Sequence, residues 1–102
     1  MVFRSNITKN CRVTIPVNIR EKLCNVYGVE DLYGFEYSIG FCEGGLVFSP
    51  FCISPGRVKS IVDTRGSVGI PKPILKYLGW GSDDMMSCII ENKGTIKLTK
   101  MQ

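Results

Sequence analysis

The chain has 102 residues and a mass of 11.4 kDa, 44% of it hydrophobic and 22% charged, with a net charge of +4. That is one compact domain, or two half-domains sharing one core. It contains no histidine, which removes the usual general base, the commonest metal ligand and the Ser-His and Cys-His nucleophile pairs, so no catalytic residue is assigned and an enzyme is not expected.

From the N-terminus, MVFRSNITKN has no apolar stretch of the kind a secretory signal needs, and no run nears the roughly 18 residues of a membrane span. The expected location is the cytoplasm, with no membrane partner. Phe3 to Thr8 is β-prone, and Lys9-Asn10-Cys11-Arg12 reads as a tight reversal, because Asn tolerates positive φ. Val13-Thr14-Ile15 returns as a strand, and Pro16 stops it and opens a helix at its first position. Ile19 and Leu23, four apart, give that helix an apolar stripe. Then come a β-like LYGFEYSIGF, the turn Glu43-Gly44-Gly45 and LVFS, with Pro50 to Gly56 as a joint.

The order then repeats. Val58 to Val62 is a strand, Thr64-Arg65-Gly66-Ser67 a turn, Val68-Gly69-Ile70 a strand, Pro71 a helix start, Ile74 and Leu78 the stripe, and Gly79 the stop. A shift of 55 positions superposes Ile7 on Val62, Val13 on Val68, Ile15 on Ile70, Pro16 on Pro71, Ile19 on Ile74 and Leu23 on Leu78. MMSCII, the turn Glu91-Asn92-Lys93-Gly94 and TIKLT close the second half. The expected organisation is repeat 1 over 1–50, a linker over 51–56 and repeat 2 over 57–102, each a ββαββ unit. The first half is about five residues longer, and Tyr27 to Tyr37 is expected to take up the difference. Units of this size cannot bury enough surface alone, so the two are expected to interleave strands into one barrel.

The five cysteines, Cys11, Cys24, Cys42, Cys52 and Cys88, show no C-x-x-C spacing and are read as small buried hydrophobes, with one internal disulfide as the alternative in a hyperthermophilic host. No metal site or cofactor is expected. Asp63-Thr64-Arg65-Gly66 is no aspartic-protease signature, since Arg65 breaks it and the other half has no second Asp. The aromatic residues Tyr27, Tyr33, Phe35, Tyr37, Phe41, Phe48 and Phe51 are read mostly as core, with a stacking or docking platform as the alternative.

Charge is segmental: residues 1–23 carry a net +4, 24–56 a net −4, 57–76 a net +4, and the rest balances. The basic segments coincide with the strand-turn-strand-helix part of each repeat, so a basic face opposite a more acidic one is expected if the halves pair. Such a face suits phosphate contacts.

Cys11-Arg12-Val13-Thr14-Ile15-Pro16, followed by Asn18-Ile19-Arg20-Glu21-Lys22-Leu23, resembles the G-R-V-T-I-P pattern of the AbrB/SpoVT swapped-hairpin DNA-binding family, with Cys in place of the glycine. Gly66-Ser67-Val68-Gly69-Ile70-Pro71 resembles it with the glycine kept and the arginine and threonine lost, and Ser82-Asp83 resembles the family's G-D turn. The resemblance implies a mainly β fold with short helices, a swapped-hairpin barrel closed within one chain as a pseudo-dimer, an arrangement similar to MraZ proteins. It implies double-stranded DNA as partner, with no small-molecule substrate, and a role in transcription regulation. Arg12 and Arg20 match the family's arginine positions, Lys76 matches a further basic one, and Arg65 is a candidate replacement for the arginine lost at Ser67. With the other cations of the basic segments, the candidate DNA contacts are Arg4, Lys9, Arg12, Arg20, Lys22, Lys59, Arg65, Lys72 and Lys76. The alternative is a protein-interaction module on the same scaffold, and association of pseudo-dimers into a homo-oligomer is left open.

Overall fold

A computed structural model describes residues 2–50, 58–82, 84–91 and 94–101. In chain order the elements are β1 (Val2–Asn6), β2 (Arg12–Thr14), α1 (Val17–Tyr27), β3 (Glu36–Cys42), β4 (Gly45–Pro50), β5 (Val58–Ile61), β6 (Ser67–Gly69), α2 (Lys72–Leu78), β7 (Met85–Ile90) and β8 (Ile96–Lys100). The fold is mainly β, and its pairing is antiparallel throughout: a six-stranded sheet in the order β1-β7-β8-β4-β3-β5 and a two-stranded ribbon, β2-β6.

The ribbon forms because both short strands follow a tight turn and end before a proline. The two turns share one hydrogen-bond pattern. Thr8 N–H donates to Arg12 O at 2.8 Å and Cys11 N–H to Thr8 O at 3.0 Å; Asp63 N–H donates to Ser67 O and Gly66 N–H to Asp63 O, both at 3.0 Å. The left-handed residue of each turn is Cys11 (φ 60) and Gly66 (φ 77), so the positive φ expected at Asn10 falls one residue later. Ile15 N–H then reaches Gly66 O at 2.9 Å and Ile70 N–H reaches Cys11 O at 2.8 Å, clamping each turn to the opposite strand exit.

Pro16 and Pro71 lie at the N-cap, with φ −55, one position before the helices rather than inside them. Each helix ends at a glycine in the left-handed region, Gly28 for α1 and Gly79 for α2. α1 has 11 residues and α2 has 7. Much of the first half's extra length is therefore an added helical turn, Cys24 to Tyr27, rather than loop after Tyr27.

The inward positions of both halves fill one core. Ile7, Val13, Ile15, Ile19 and Leu23 meet Val62, Val68, Ile70 and Leu75 above the sheet residues Tyr37, Ile39, Leu46, Phe48, Met86, Cys88, Ile96 and Leu98. Burying each large apolar side chain contributes roughly 1.5–3 kcal/mol. Gly45 stands at the β4–β8 seam, where a Cβ would run into the Leu98 carbonyl.

The sheet is open, which corrects the expectation of a closed barrel. Its edges are β1 and β5, and the ribbon meets them mainly through side chains. Ser5 Oγ donates to Thr14 O at 2.6 Å, Ser60 Oγ accepts from Gly69 N–H at 2.9 Å, and a single bridge joins Ile7 to Val13. Ribbon strands of three residues are too short to carry a continuous ladder to both edges. The linker over 51–56, with Phe51 and Cys52, lies outside the described residues, as do Arg57, Asp83 and the centre of the Glu91–Gly94 turn. Among the described residues no helix is long and apolar enough to cross a membrane.

Candidate nucleic-acid interface

The ribbon register decides which basic residues meet. Arg12 pairs with Gly69 and Thr14 with Ser67, so the β1–β2 turn shares one ribbon end with the start of α2. The β5–β6 turn shares the other end with the start of α1.

At the α2 end, Lys9, Lys72 and Lys76 line a single groove of about 480 Å³ with Ile7, Cys11, Leu75 and Trp80. Lys72 and Lys76 stand four apart on α2 and share a face. Leu75 turns inward, and Gly79 reverses the chain so that Trp80 N–H donates to Leu75 O at 2.9 Å. Trp80 is thereby buried against the core and forms the groove's apolar floor. The three lysines are exposed.

The α1 end is finished differently. Its groove, about 590 Å³, is lined by Val17, Arg20, Glu21, Val29, Glu30 and Asp31 among others. Arg20 Nε donates to Ile15 O at 2.9 Å, and the rest of the side chain lies over Gly66, where a Cβ would stand 2.6 Å from Nη1. Arg65 projects from the adjacent turn and is exposed. Residues Glu30 and Asp31, from the acidic middle of the sequence, thus return beside Arg20, so among the described residues cations line the α2 groove without an acid, whereas acids accompany Arg20 in the α1 groove.

Arg12 lies between the two. Its Nε is 2.9 Å from Asp63 Oδ2, and its Nη2 donates to Ser67 O at 3.0 Å and Ile61 O at 3.3 Å. The Asp63 carboxylate also accepts N–H bonds from Ser67 and Arg65, each at 2.9 Å. Those backbone donors, Ser67 first, and the Arg12 guanidinium hold its pKa below the usual carboxylate value. Arg12 therefore ties one half to the other, with a third of its side chain still open to solvent.

The remaining candidates lie outside both grooves. Arg4 is exposed on edge strand β1, Lys22 is exposed on α1, and Lys59 on edge strand β5 pairs with Glu36 at 3.3 Å. Exposed pairs of that kind contribute little.

Of the aromatic residues, Tyr37 and Phe48 are core, and Tyr27 stacks on Phe35 at 4.4 Å while its hydroxyl meets that of Tyr37 at 2.9 Å. Burial pushes the Tyr37 phenol far up. Tyr33 and Phe41 are exposed, and Phe41 meets the still more open Tyr77 edge-on at 5.6 Å. Among the cysteines, Cys88 is a buried hydrophobe whose thiol is pushed up to about 12 by desolvation, while Cys11, Cys24 and Cys42 are half-buried free thiols.

Sequence reasoning missed Asp63 as the partner of Arg12 and Trp80 as a groove floor. The first had a faint signal, since Asp63 stands 55 positions after Thr8 at the start of the equivalent turn.

No family model matches the chain, and no curated protein does. Among solved structures, the solution structure of PHS018 from Pyrococcus horikoshii is similar in fold, with a TM-score of 0.50 over 99% of this chain and 91% of that one at 17% sequence identity.

Proposed function

We propose that the chain is an AbrB-like, single-chain pseudo-dimer that binds double-stranded DNA as a transcriptional regulator, its swapped-hairpin barrel left open at the ribbon. The observation that carries DNA binding is the gathering of Lys9, Lys72 and Lys76, from both halves of the chain, around one groove. Three exposed ammonium groups at a concave surface suit a phosphate backbone. Arg12 and Arg65 extend the positive surface along the ribbon, while Arg20 is largely engaged by its own backbone.

The pseudo-dimer reading is supported by the strand order, which is unchanged when the halves are exchanged: β1 answers to β5, β7 to β3 and β8 to β4. It is also supported by matching core positions, Tyr37 with Met86 and Ile39 with Cys88, and by the matching links Ser5–Thr14 and Ser60–Gly69.

Titration of labelled duplex DNA by fluorescence anisotropy, at roughly 50 and 200 mM salt, tests the reading. Binding should weaken steeply with salt. Replacing Lys9, Lys72 and Lys76 together by Ala should lower the salt slope by about three units, close to one for each phosphate no longer neutralised. A second reading, protein docking, rests on the exposed Phe41–Tyr77 pair. Absence of duplex binding at the lower salt, across mixed-sequence and fragmented genomic DNA, would favour it.

A further inference from the structure

The lysine groove has a floor that phosphate contacts leave unused. Ile7, Leu75 and Trp80 line it together with the three lysines, so it also suits an occupant that combines an apolar anchor with carboxylates. The opposite end of the ribbon carries that combination. Val26 is 56% exposed at the last turn of α1 and Val29 37% exposed just beyond Gly28, with exposed Glu30 and Asp31 following and Glu21 one face along the helix. Among the described residues, the one cation lining that groove is Arg20, bound to the Ile15 carbonyl and folded over Gly66, while Arg65 stands outside it on the adjacent turn. Lys22, on the same helix, lies outside the groove. No acid is among the described residues lining the lysine groove, and Asp84, which accepts from the N–H of the lining residue Gly81 at 2.8 Å, is also engaged by Lys100 at 3.4 Å. The two grooves therefore present three carboxylates and three ammonium groups, the first beside exposed valines and the second over a largely buried apolar floor.

We propose that a second copy of this chain seats its Val26–Asp31 segment in the Lys9–Lys72–Lys76 groove, so that copies join head to tail. The two surfaces belong to different ends of one ribbon. The contact is thus heterologous, and each added copy leaves one free surface of each sign, the condition for an open chain of subunits rather than a closed dimer. Charge complementarity steers the encounter, and the valines over Trp80 supply the apolar part. This goes beyond the DNA reading and is tested without DNA.

The experiment is sedimentation velocity on the full chain, freed of nucleic acid, over a concentration series in 0.1 M and in 1 M salt. The screening length falls from about 10 Å to about 3 Å between those salts. The weight-average mass should rise above 11.4 kDa with concentration at low salt and return toward it at high salt. The double variants Lys72→Glu/Lys76→Glu and Glu30→Lys/Asp31→Lys should each stay at the monomer mass, because each then carries two ends of one sign. An equimolar mixture of the two should associate again, since every contact is re-paired with its opposite; this rescue also shows that both variants are folded. A wild-type chain that stays monomeric at all concentrations in 0.1 M salt would overturn the proposal. So would double variants that each associate like the wild type, or a mixture that does not recover. Failure here leaves the duplex titration unaffected, so the two readings stand or fall separately.

Discussion

Cys11 and Gly66 hold the same place in two turns with the same hydrogen bonds, yet the grooves beside them are lined by opposite net charge. At the Cys11 end the adjoining helix offers Lys72 and Lys76 to the groove. At the Gly66 end the corresponding helix offers Glu21, and the loop after it brings in Glu30 and Asp31. The backbone frame is thus indifferent to surface charge: proline, left-handed residue and inward aliphatics fix the shape, and the outward positions of the helices are free to specialise. Even the shared frame is not met equally well. Gly66 takes the left-handed conformation without strain and leaves room for Arg20 to lie across it, whereas Cys11 takes it with a Cβ in place.

Substitutions at these positions sharpen that contrast. The largest effect is expected for Gly66→Ala, which adds the left-handed penalty of about 1–2 kcal/mol and displaces Arg20 from its seat, for a total loss of roughly 2–3 kcal/mol in chemical denaturation. A loss below about half a kcal/mol would mean that the turn is not held as described. Asp63→Asn is next. Its carboxylate joins the Gly66 turn to Arg12, and the loss should be about 1 kcal/mol at neutral pH, given the solvent exposure of the ion pair. The pH dependence gives the sign: because the folded-state pKa is lowered, the stabilisation is present above the unfolded value of about 3.9 and is lost as pH falls through the folded one. Thermal melts between pH 2 and 6 should show a shallower acid limb for the variant, and an unchanged limb would sink the assignment. The smallest effect has the opposite sign. Cys11→Gly should stabilise by roughly 0.5–1 kcal/mol, the strain relieved being partly offset by the greater unfolded-state freedom of glycine. Destabilisation would show that the Cys11 side chain contributes packing that outweighs its backbone cost.

The repeated order of turn, strand, proline and helix is legible in the sequence because each of its parts is local. Pro16 and Pro71 stop strands whatever surrounds them, and Gly66 and Gly79 mark reversals by their own conformational freedom. The helix extension to Tyr27 is not legible in the same way. Its last turn, Cys24 to Tyr27, is held by long-range contacts, Tyr27 stacking on Phe35 and its hydroxyl donating to the Gly94 carbonyl. The site divides along the same line. Lys72 and Lys76 share a face by helical spacing alone, but their union with Lys9 depends on the ribbon register between halves. The arrival of Glu30 and Asp31 beside Arg20 is equally non-local, and a count of charge by segment places them elsewhere. Arg12 stands out in the sequence as a candidate DNA contact, whereas its two backbone acceptors and Asp63 all come from the other half of the chain.

The strand order also bears on how the chain reaches this state. Among the described strands only β3–β4 and β7–β8 are hairpins of near neighbours; β1 pairs with β7, β4 with β8, β3 with β5 and β2 with β6, each from a different half. The N-terminal strand finds its partner near the far end of the chain, so most loop-closure entropy is lost before the long-range contacts can offset it. Folding should accordingly be slow for so small a protein and governed by the meeting of two preformed hairpins at the Gly45 seam. While the second half is still being synthesised, the first lacks the strands β7 and β6 on which β1 and β2 form their ladders. A nascent chain of this design exposes its aliphatic faces until β6 to β8 have emerged, and it is during that interval, rather than in the finished fold, that it is most open to aggregation.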